Sequence, residues 1–381
     1  MNLFFSVGEP SGDLHGANLI RTLRVRDPNI HITGFGGPKM SAAGAELLYP
    51  LTELSVMGLR RVLKHLPTFF RLGDDAQRVF RDQRPDAVVL IDYPGFNFEL
   101  AKRAHARGIP VYYFVPPQLW AWRRGRVRQV RKWCSGVLSA LPFEDDWYRS
   151  RGVRTHYVGH PYFDELAGQK LDAEFLAHER AKGGAIVGLL PGSRNQEVAA
   201  NFTMMLAAAR KVKAQRPDAR FMVAAFNEKH AAQVREVASN AAFPVAVHVG
   251  RTPEIIELCD ASIAVSGSVS LELMYRAKPT VVVYRMAPLS LWLARRLVKL
   301  PYFTLVNLLA NEELFPEIAT ARDESDQMAG HVLGWLNNPR ERDAAVAKLT
   351  ALRNRVAVPG ACDRAADFLL GDLGSPRHAV A

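Results

Sequence analysis

The sequence offers no metal-ligand cluster, no cysteine framework and no long apolar run. Its three cysteines, Cys134, Cys259 and Cys362, stand far apart and form neither a Cys-x-x-Cys pair nor a Cys/His group. That argues against structural zinc and a disulfide scaffold, and it fits a reducing cytoplasm. No stretch approaches the roughly eighteen uninterrupted apolar residues of a membrane-spanning helix. Asn2 to Val7 opens the chain as a strand-like run without a basic leader or cleavage site, so the expectation is a protein that neither crosses a membrane nor carries a signal peptide. Two Gly-Ser loops, Leu189 to Glu197 and Ser266 to Glu272, lack both the Gly-Lys-Ser/Thr of a Walker loop and the Gly-x-Gly-x-x-Gly of a dinucleotide site. Kinase, ATPase and dehydrogenase readings lose weight accordingly.

What the chain does have is length and positive charge. Its 381 residues exceed what one core usually serves, so about two domains are expected. A formal charge of +11 and a pI near 9.7 call for an acidic partner: phosphorylated substrates, an anionic membrane surface or nucleic acid. Apolar runs at Leu3–Val7, Ile30–Phe35, Ala87–Ile91, Val111–Val115 and Val137–Leu141 alternate with segments of helical length. After Gly159-His160-Pro161 the pattern restarts, with runs at Ala185–Leu190, Arg220–Ala225, Val245–Val249, Ala261–Val265 and Thr280–Tyr284. This is the signature of an α/β protein with two doubly wound, Rossmann-like domains, each a parallel sheet covered by helices. The boundaries read as 1–162 and 163–349, with a C-terminal helix of about 350–381 able to pack back on the first domain.

In such sheets ligands sit beyond the carboxyl ends of the strands, and two facing domains make a cleft there. Both Gly-Ser loops join a strand to a helix. Backbone N–H groups and the helix dipole favour an anion at such a junction, and Arg194 adds a charged fork, so phosphate is the natural guest. Tight turns at Gly192 and Gly267, with Ser193 or Ser268 as helix caps, are the plainer alternative. In the first half Asp92 follows the run Val88–Ile91 and suits either a general base or the cap of the next helix. Glu9, Asp13 and His15 lie in a loop whose Gly8, Gly12 and Gly16 allow a close approach to backbone. Glu9 is read as binding. Asp13 equally matches a helix start, and His15 is the alternative base, or simply a covered polar side chain.

Two surfaces combine aromatics with cations. Val62, Leu63, Leu66, Phe69 and Phe70 recur at helical spacing beside Arg60, Arg61, Lys64 and Arg71, which suits either a lipid interface or a core-facing helix. Trp120 and Trp122 precede Arg123 and Arg124, and Trp292 precedes Arg295, Arg296 and Lys299. Headgroups and lipid phosphates match both patches. Stacking on single-stranded nucleic acid ranks low, because no nucleic-acid signature accompanies them.

Taken together, these residues resemble the lipid-A-disaccharide synthases, glycosyltransferases of the GT-B architecture. The likeness runs through Gly8-Glu9-Pro10-Ser11-Gly12-Asp13, Gly34–Met40, Leu54–Gly58, Ile91–Asn97, Pro117–Trp122, Leu141-Pro142-Phe143-Glu144, Val158–Pro161, Leu189–Glu197, Ser266–Leu273 and Tyr284–Lys299. The resemblance implies inverting transfer of 2,3-diacylglucosamine from its UDP derivative to 2,3-diacylglucosamine 1-phosphate, without cofactor or metal. It further implies a peripheral protein on the anionic cytoplasmic face of the inner membrane and, by likeness alone, a homodimer. Carried over to this chain, Asp92 is the base for the acceptor hydroxyl and Glu9 a second acid beside it. Arg194 would hold the donor diphosphate, Ser266, Gly267 and Ser268 the nucleotide, and Glu272 the ribose, with Asn307 lining the same cleft. The matched motifs add Ser11, Gly12, Asp13, Asn97, Gly192, Ser193, Glu197 and Ser270 to the substrate-binding set. Val62, Leu63, Leu66, Phe69, Phe70, Trp120, Trp122, Arg123 and Arg124 form the lipid-contact set.

This chain departs from the family pattern at Gly95, where many relatives carry a second acid, and at Val306 and Thr320. A rival in the same class is another UDP-sugar transferase or a UDP-sugar epimerase. A rival from another class is a non-catalytic protein that binds anionic lipid or nucleic acid.

Overall fold

The computed structural model describes residues 1–55, 66–298 and 300–375, which form two compact units. Residues 1–167 and 358 onward make the first, and 168–357 the second. Strands β1 (Asn2–Val7), β2 (His31–Phe35), β3 (Glu46–Tyr49), β4 (Ala87–Ile91), β5 (Val111–Phe114), β6 (Gly136–Ser139) and β7 (Thr155–Tyr157) build the first sheet, in the order β3-β2-β1-β4-β5-β6-β7. The second sheet holds β8 (Ile186–Leu190), β9 (Arg220–Ala225), β10 (Val245–Val249), β11 (Ala261–Val265), β12 (Thr280–Arg285) and β13 (Glu317–Thr320), ordered β10-β9-β8-β11-β12-β13. All described strand pairs are parallel.

Strand side chains alternate between two helical layers, and this alternation makes the core. In the first unit Leu3, Phe5 and Val7 of β1 pack with Val89 and Ile91 of β4 against Leu19, Ile20 and Leu23 of helix Pro10–Arg26. Phe4, Val88 and Leu90 face the other way, toward Leu72, Ala76 and Phe80 of helix Leu66–Asp82. In the second unit Val187, Leu189, Ile263 and Val265 pack on Val198, Phe202 and Met205 of the long helix Asn195–Gln215.

Helix Pro339–Val356 stays with the second unit, whereas helix Ala361–Leu373 joins the first, packing along helix Pro10–Arg26 and reaching Tyr112 of β5, and adds Cys362, Ala365, Ala366 and Leu369 to that unit's core. Its start is held by one carboxylate. Asp164 accepts hydrogen bonds from the backbone N–H groups of Gly360 (2.5 Å), Ala361 (3.1 Å) and Cys362 (2.9 Å). Further along, Asp372 accepts from the Tyr112 hydroxyl at 2.6 Å and pairs with Arg154. Replacing Asp164 by Ala leaves the three N–H groups without that acceptor. The expected outcome is a loss of about 0.5–2 kcal/mol, read as a lower thermal midpoint, with hydrogen exchange in residues 360–373 accelerating ahead of the rest.

Candidate active site

Each sheet has one place where the chain, having wound outward in one direction, returns to wind in the other, and loops at such a switch point diverge to leave room for a ligand. In the first sheet it lies between β1 and β4, where Val7 pairs with Ile91. The loops that meet there are Gly8-Glu9 and Asp92-Tyr93. In the second sheet it lies between β8 and β11, where Pro191–Arg194 meets Ser266–Ser268.

The first switch point holds a strained backbone. Asp92 (φ 44°) and Tyr93 (φ 48°) both occupy the left-handed region, which costs of order 1–3 kcal/mol per non-glycine residue and persists only when surroundings enforce it. Here the enforcement is visible. The Asp92 N–H donates to the Val115 carbonyl at 3.3 Å, and its own carbonyl accepts from the Tyr113 hydroxyl (2.5 Å) and the Asn97 amide (2.8 Å). The Tyr93 ring lies so close over Gly8 that a Cβ there would sit 2.2 Å from it, so only glycine fits. Glu9, half-buried, is near enough to help raise the Tyr93 phenol to about 12, although burial is the larger cause. Burial also raises the Asp92 carboxyl above its ordinary value, opposed by a hydrogen bond from the Tyr93 backbone. A pinned, desolvated carboxylate at a strand end is suited to taking a proton.

Several residues expected to bind substrate in this unit serve the scaffold instead. Asn97 is fully buried; its amide nitrogen lies 2.8–3.2 Å from the carbonyls of Asp92, Ile91 and Ser6, and its oxygen accepts from the Ser6 hydroxyl at 2.6 Å. It staples β1 to β4 beneath the site. Asp13 is likewise buried and caps the helix Pro38–Ala42, accepting from the N–H groups of Gly37, Lys39 and Met40. Gly12 packs on Val7, and Ser11 is exposed beside Glu9. His15 is buried edge-on to His160, ring centroids 5.6 Å apart, and burial lowers it to about 3, so it is a neutral core residue, not a base at the rim.

The lipid-contact set also divides. Trp120 is buried, donates to Glu144 at 3.0 Å and packs edge-on against Phe143; it cannot offer its face to a lipid. Phe69 packs against Phe96 and Tyr93. Leu66, Phe70 and Trp122 are exposed, with Arg123 over the Trp122 ring and Arg124 bound to the Trp120 carbonyl. Val62 and Leu63, with Arg60, Arg61 and Lys64, lie outside the described residues.

In the second unit Gly192 (φ 104°) makes the turn after β8, and a Cβ there would meet the Glu197 carboxylate at 2.7 Å. Glu197 Oε2 accepts from the N–H groups of Ser193 and Arg194, both at 3.2 Å, while Oε1 takes the Arg194 guanidinium at 2.8 Å. Two of the amides that the sequence offered to phosphate, those of Ser193 and Arg194, are therefore already satisfied by the Glu197 carboxylate, in the manner of a capping box. Glu197 is buried; the Arg194 side chain is 72 % exposed. The guanidinium, paired with Glu197 yet largely exposed, is the positively charged group of this loop that reaches solvent. Tyr284, half-buried, feels both charges; its place beside this loop is not legible in its own run of β12.

Across the switch point Gly267 and Ser268 are exposed and Ser266 half-buried. Among the described residues, its chain neighbours apart, no atom lies within 4 Å of the position a Gly267 Cβ would take, so a flat ligand could approach its backbone. The Ser270 hydroxyl is spent on the Gly267 carbonyl at 2.8 Å. Glu272 is buried and accepts from Arg276, which also binds Glu257 and Gln169. Asn307 does not line an open surface. It is fully buried, donating to the Phe315 carbonyl and Glu317 and accepting from the N–H groups of Leu314 and Phe315. Every hydrogen-bonding capacity of its amide is used to lock that turn.

Among the described residues no group of three or more His, Cys, Asp or Glu is placed to hold a metal ion, and no helix is long and apolar enough to cross a membrane. Solved structures similar in fold include a UDP-GlcNAc 2-epimerase from Neisseria meningitidis bound to UDP-GlcNAc (TM-score 0.67, 12 % identity, 97 % of this chain and all of that one). Another is the glycotransferase of kitacinnamycin (TM-score 0.62, 17 % identity, 97 % and 98 % covered). At such identities they show the fold alone, which is that of GT-B glycosyltransferases and epimerases. The sequence comparisons go further. Residues 3–361 match the family model of lipid-A-disaccharide synthetase. Lipid-A-disaccharide synthase of Myxococcus xanthus is 34 % identical over 366 residues, 95 % of either chain, and that of Methylobacillus flagellatus 37 % over 336 residues, 87 % of this chain and 89 % of the other. This chain belongs to the lipid-A-disaccharide synthase family of glycosyltransferases.

Proposed function

We propose that the protein transfers 2,3-diacylglucosamine from its UDP derivative to the 6-hydroxyl of 2,3-diacylglucosamine 1-phosphate, with inversion, giving the β-1,6-linked disaccharide 1-phosphate and UDP. The observation that carries the residue assignment is the Asp92 carboxylate, desolvated and fixed on a strained backbone at the switch point of the first sheet. In the step itself the acceptor oxygen attacks the anomeric carbon and its proton passes to Asp92. The bond from that carbon to the UDP oxygen breaks, and both its electrons leave with the diphosphate. Glu9 is assigned to the acceptor beside Asp92. Arg194 meets the diphosphate charge, Ser266 to Ser268 the nucleotide, and Glu272, oriented by Arg276, the ribose. The exposed Leu66, Phe70 and Trp122 beside Arg123 support peripheral contact with an anionic membrane.

Incubation with both sugar lipids, followed by mass analysis, tests the reading. The expected product is the disaccharide 1-phosphate, with UDP released one for one and only when the acceptor is present. Acceptor-independent conversion of the UDP-sugar would make the protein an epimerase. UDP binding without any turnover would make it a binding protein.

A further inference from the structure

Helix Pro288–Leu297, which follows β12 in the second unit, contains no buried residue. Its large apolar side chains point outward: Leu289 is 75 % exposed, Trp292 54 %, Leu293 47 % and Leu297 66 %. Positions i, i+3, i+4 and i+8 lie along one stripe of a helix. A surface helix normally turns such a stripe toward the core. Here the inward positions are Leu291 and Ala294, both half-buried, and Arg295 reaches the Ala319 carbonyl at 3.4 Å. The helix rests on the unit by its weaker face and leaves its stronger one uncovered. Exposed apolar side chains gathered on one stripe mark an interaction surface, unlike singly scattered ones.

The charges select the occupant. From Tyr284 to Leu300 the sequence has Arg285, Arg295, Arg296 and Lys299 and no acidic residue. The Arg296 guanidinium lies 5.2 Å from the centre of the Trp292 ring, which embeds a cation in the apolar stripe itself. A second copy of this chain carries the same charge of +11 and the same acid-free segment, so it offers this stripe no matching negative surface. A bilayer of anionic lipid meets both features at once, acyl chains for the leucines and phosphates for the arginines.

We propose that helix Pro288–Leu297 lies in the interface of an anionic lipid bilayer, with Leu289, Trp292, Leu293 and Leu297 at the acyl boundary and Arg295 and Arg296 at the phosphates. This gives the second unit a lipid-contacting element of its own, separate from Leu66, Phe70 and Trp122 in the first. It deepens the lipid-substrate reading given above and rests on it for its purpose only, because binding is measured without either sugar lipid.

The test is partition onto phosphatidylethanolamine/phosphatidylglycerol vesicles and onto phosphatidylcholine vesicles, at low salt. The L289S/L293S/L297S variant is expected to lose partition by more than about tenfold while its thermal midpoint and its turnover of detergent-dispersed substrates stay near those of the parent. R295Q/R296Q is expected to lose roughly twentyfold on the anionic vesicles, each cation near the surface contributing about a fivefold factor, and to change little on phosphatidylcholine. Tryptophan quenching by brominated lipid reads the same contact without disturbing the stripe: the quenched fraction should fall in Trp292→Phe. Unchanged partition of the triple-serine variant, or unchanged quenching in Trp292→Phe, would overturn the proposal. So would a dimer of the parent that the serine substitutions dissociate. Absence of disaccharide synthesis alongside normal vesicle binding would remove the proposed reaction and leave this surface standing.

Discussion

Asp92→Asn is expected to lower turnover by about 10² to 10⁴, the range for loss of a well-placed general base, while UDP affinity stays within experimental error of the parent. The substitution is chosen for the backbone. Asp92 sits at φ 44°, and asparagine is among the few residues that tolerate the left-handed region. Its side-chain oxygen can still accept from the Tyr93 N–H, so the loop keeps its shape and only the proton acceptor is removed. Alanine at this position would confound loss of the base with loss of the turn. The pH dependence provides a second reading. Burial raises the Asp92 carboxyl, so in the parent the acid limb of kcat/KM should fall at a higher pH than an ordinary carboxylate gives, and Asp92→Asn should abolish that limb.

Stability should move in the opposite sense from activity. A carboxyl raised in the folded state favours the protonated form. Its contribution to stability is complete below the unfolded value and is lost as pH rises through the folded one. At neutral pH the ionised Asp92 therefore weighs against the fold, and Asp92→Asn should melt at the same temperature as the parent or slightly higher. Near-normal turnover in Asp92→Asn would move the base to Glu9. His15 is a poor substitute, because its burial beside His160 holds it neutral within the core.

The strands legible in the sequence are mainly those buried on both faces, the partly exposed edge strand Val245–Val249 being legible from its valines. A central parallel strand such as Ala87–Ile91 or Ala261–Val265 reads as a continuous apolar run because helices cover both its sides. The edge strands Glu46–Tyr49, Thr155–Tyr157 and Glu317–Thr320 escaped, being short and partly exposed, with burial patterns too brief to establish a period. The apolar runs ending at Val115 and Leu141 also extend past their strands, which end at Phe114 and Ser139. Val115 leaves β5 in the left-handed region, and Leu141 caps the next helix. Loop positions were legible for the same reason as the strands they follow.

Roles within the loops were less legible, since the residue types that bind a ligand also bind backbone. Asp13 reads as a first-turn acid, yet its partners Gly37, Lys39 and Met40 stand at the start of another helix, at least 24 residues away. Asn97 reaches Ser6 across 91 positions. Sequence spacing carries no record of such distant partners. Glu197 is different. Three positions after the cap residue Arg194, it has the local spacing of a capping box, and that signal was available.

Arg194→Ala should reduce kcat/KM for the UDP-sugar roughly ten- to hundredfold, corresponding to one charge-assisted hydrogen bond of about 1.5–3 kcal/mol. The loop geometry predicts that the fold will tolerate this change. Glu197 keeps the backbone N–H groups of Ser193 and Arg194 whatever the side chain at 194, and the guanidinium is largely exposed, so the thermal midpoint should scarcely move. Lysine should restore only part of the loss, because an ammonium supplies a point charge without the planar fork that grips two phosphate oxygens. UDP against uridine is the deciding comparison. If the guanidinium binds the diphosphate, Arg194→Ala weakens UDP and leaves uridine unaffected. If Arg194 serves only Glu197, the two ligands respond alike. Because the Ser193 and Arg194 amides are already occupied by Glu197, those two cannot compensate. The penalty should therefore be larger than at an anion site where backbone N–H groups share the charge.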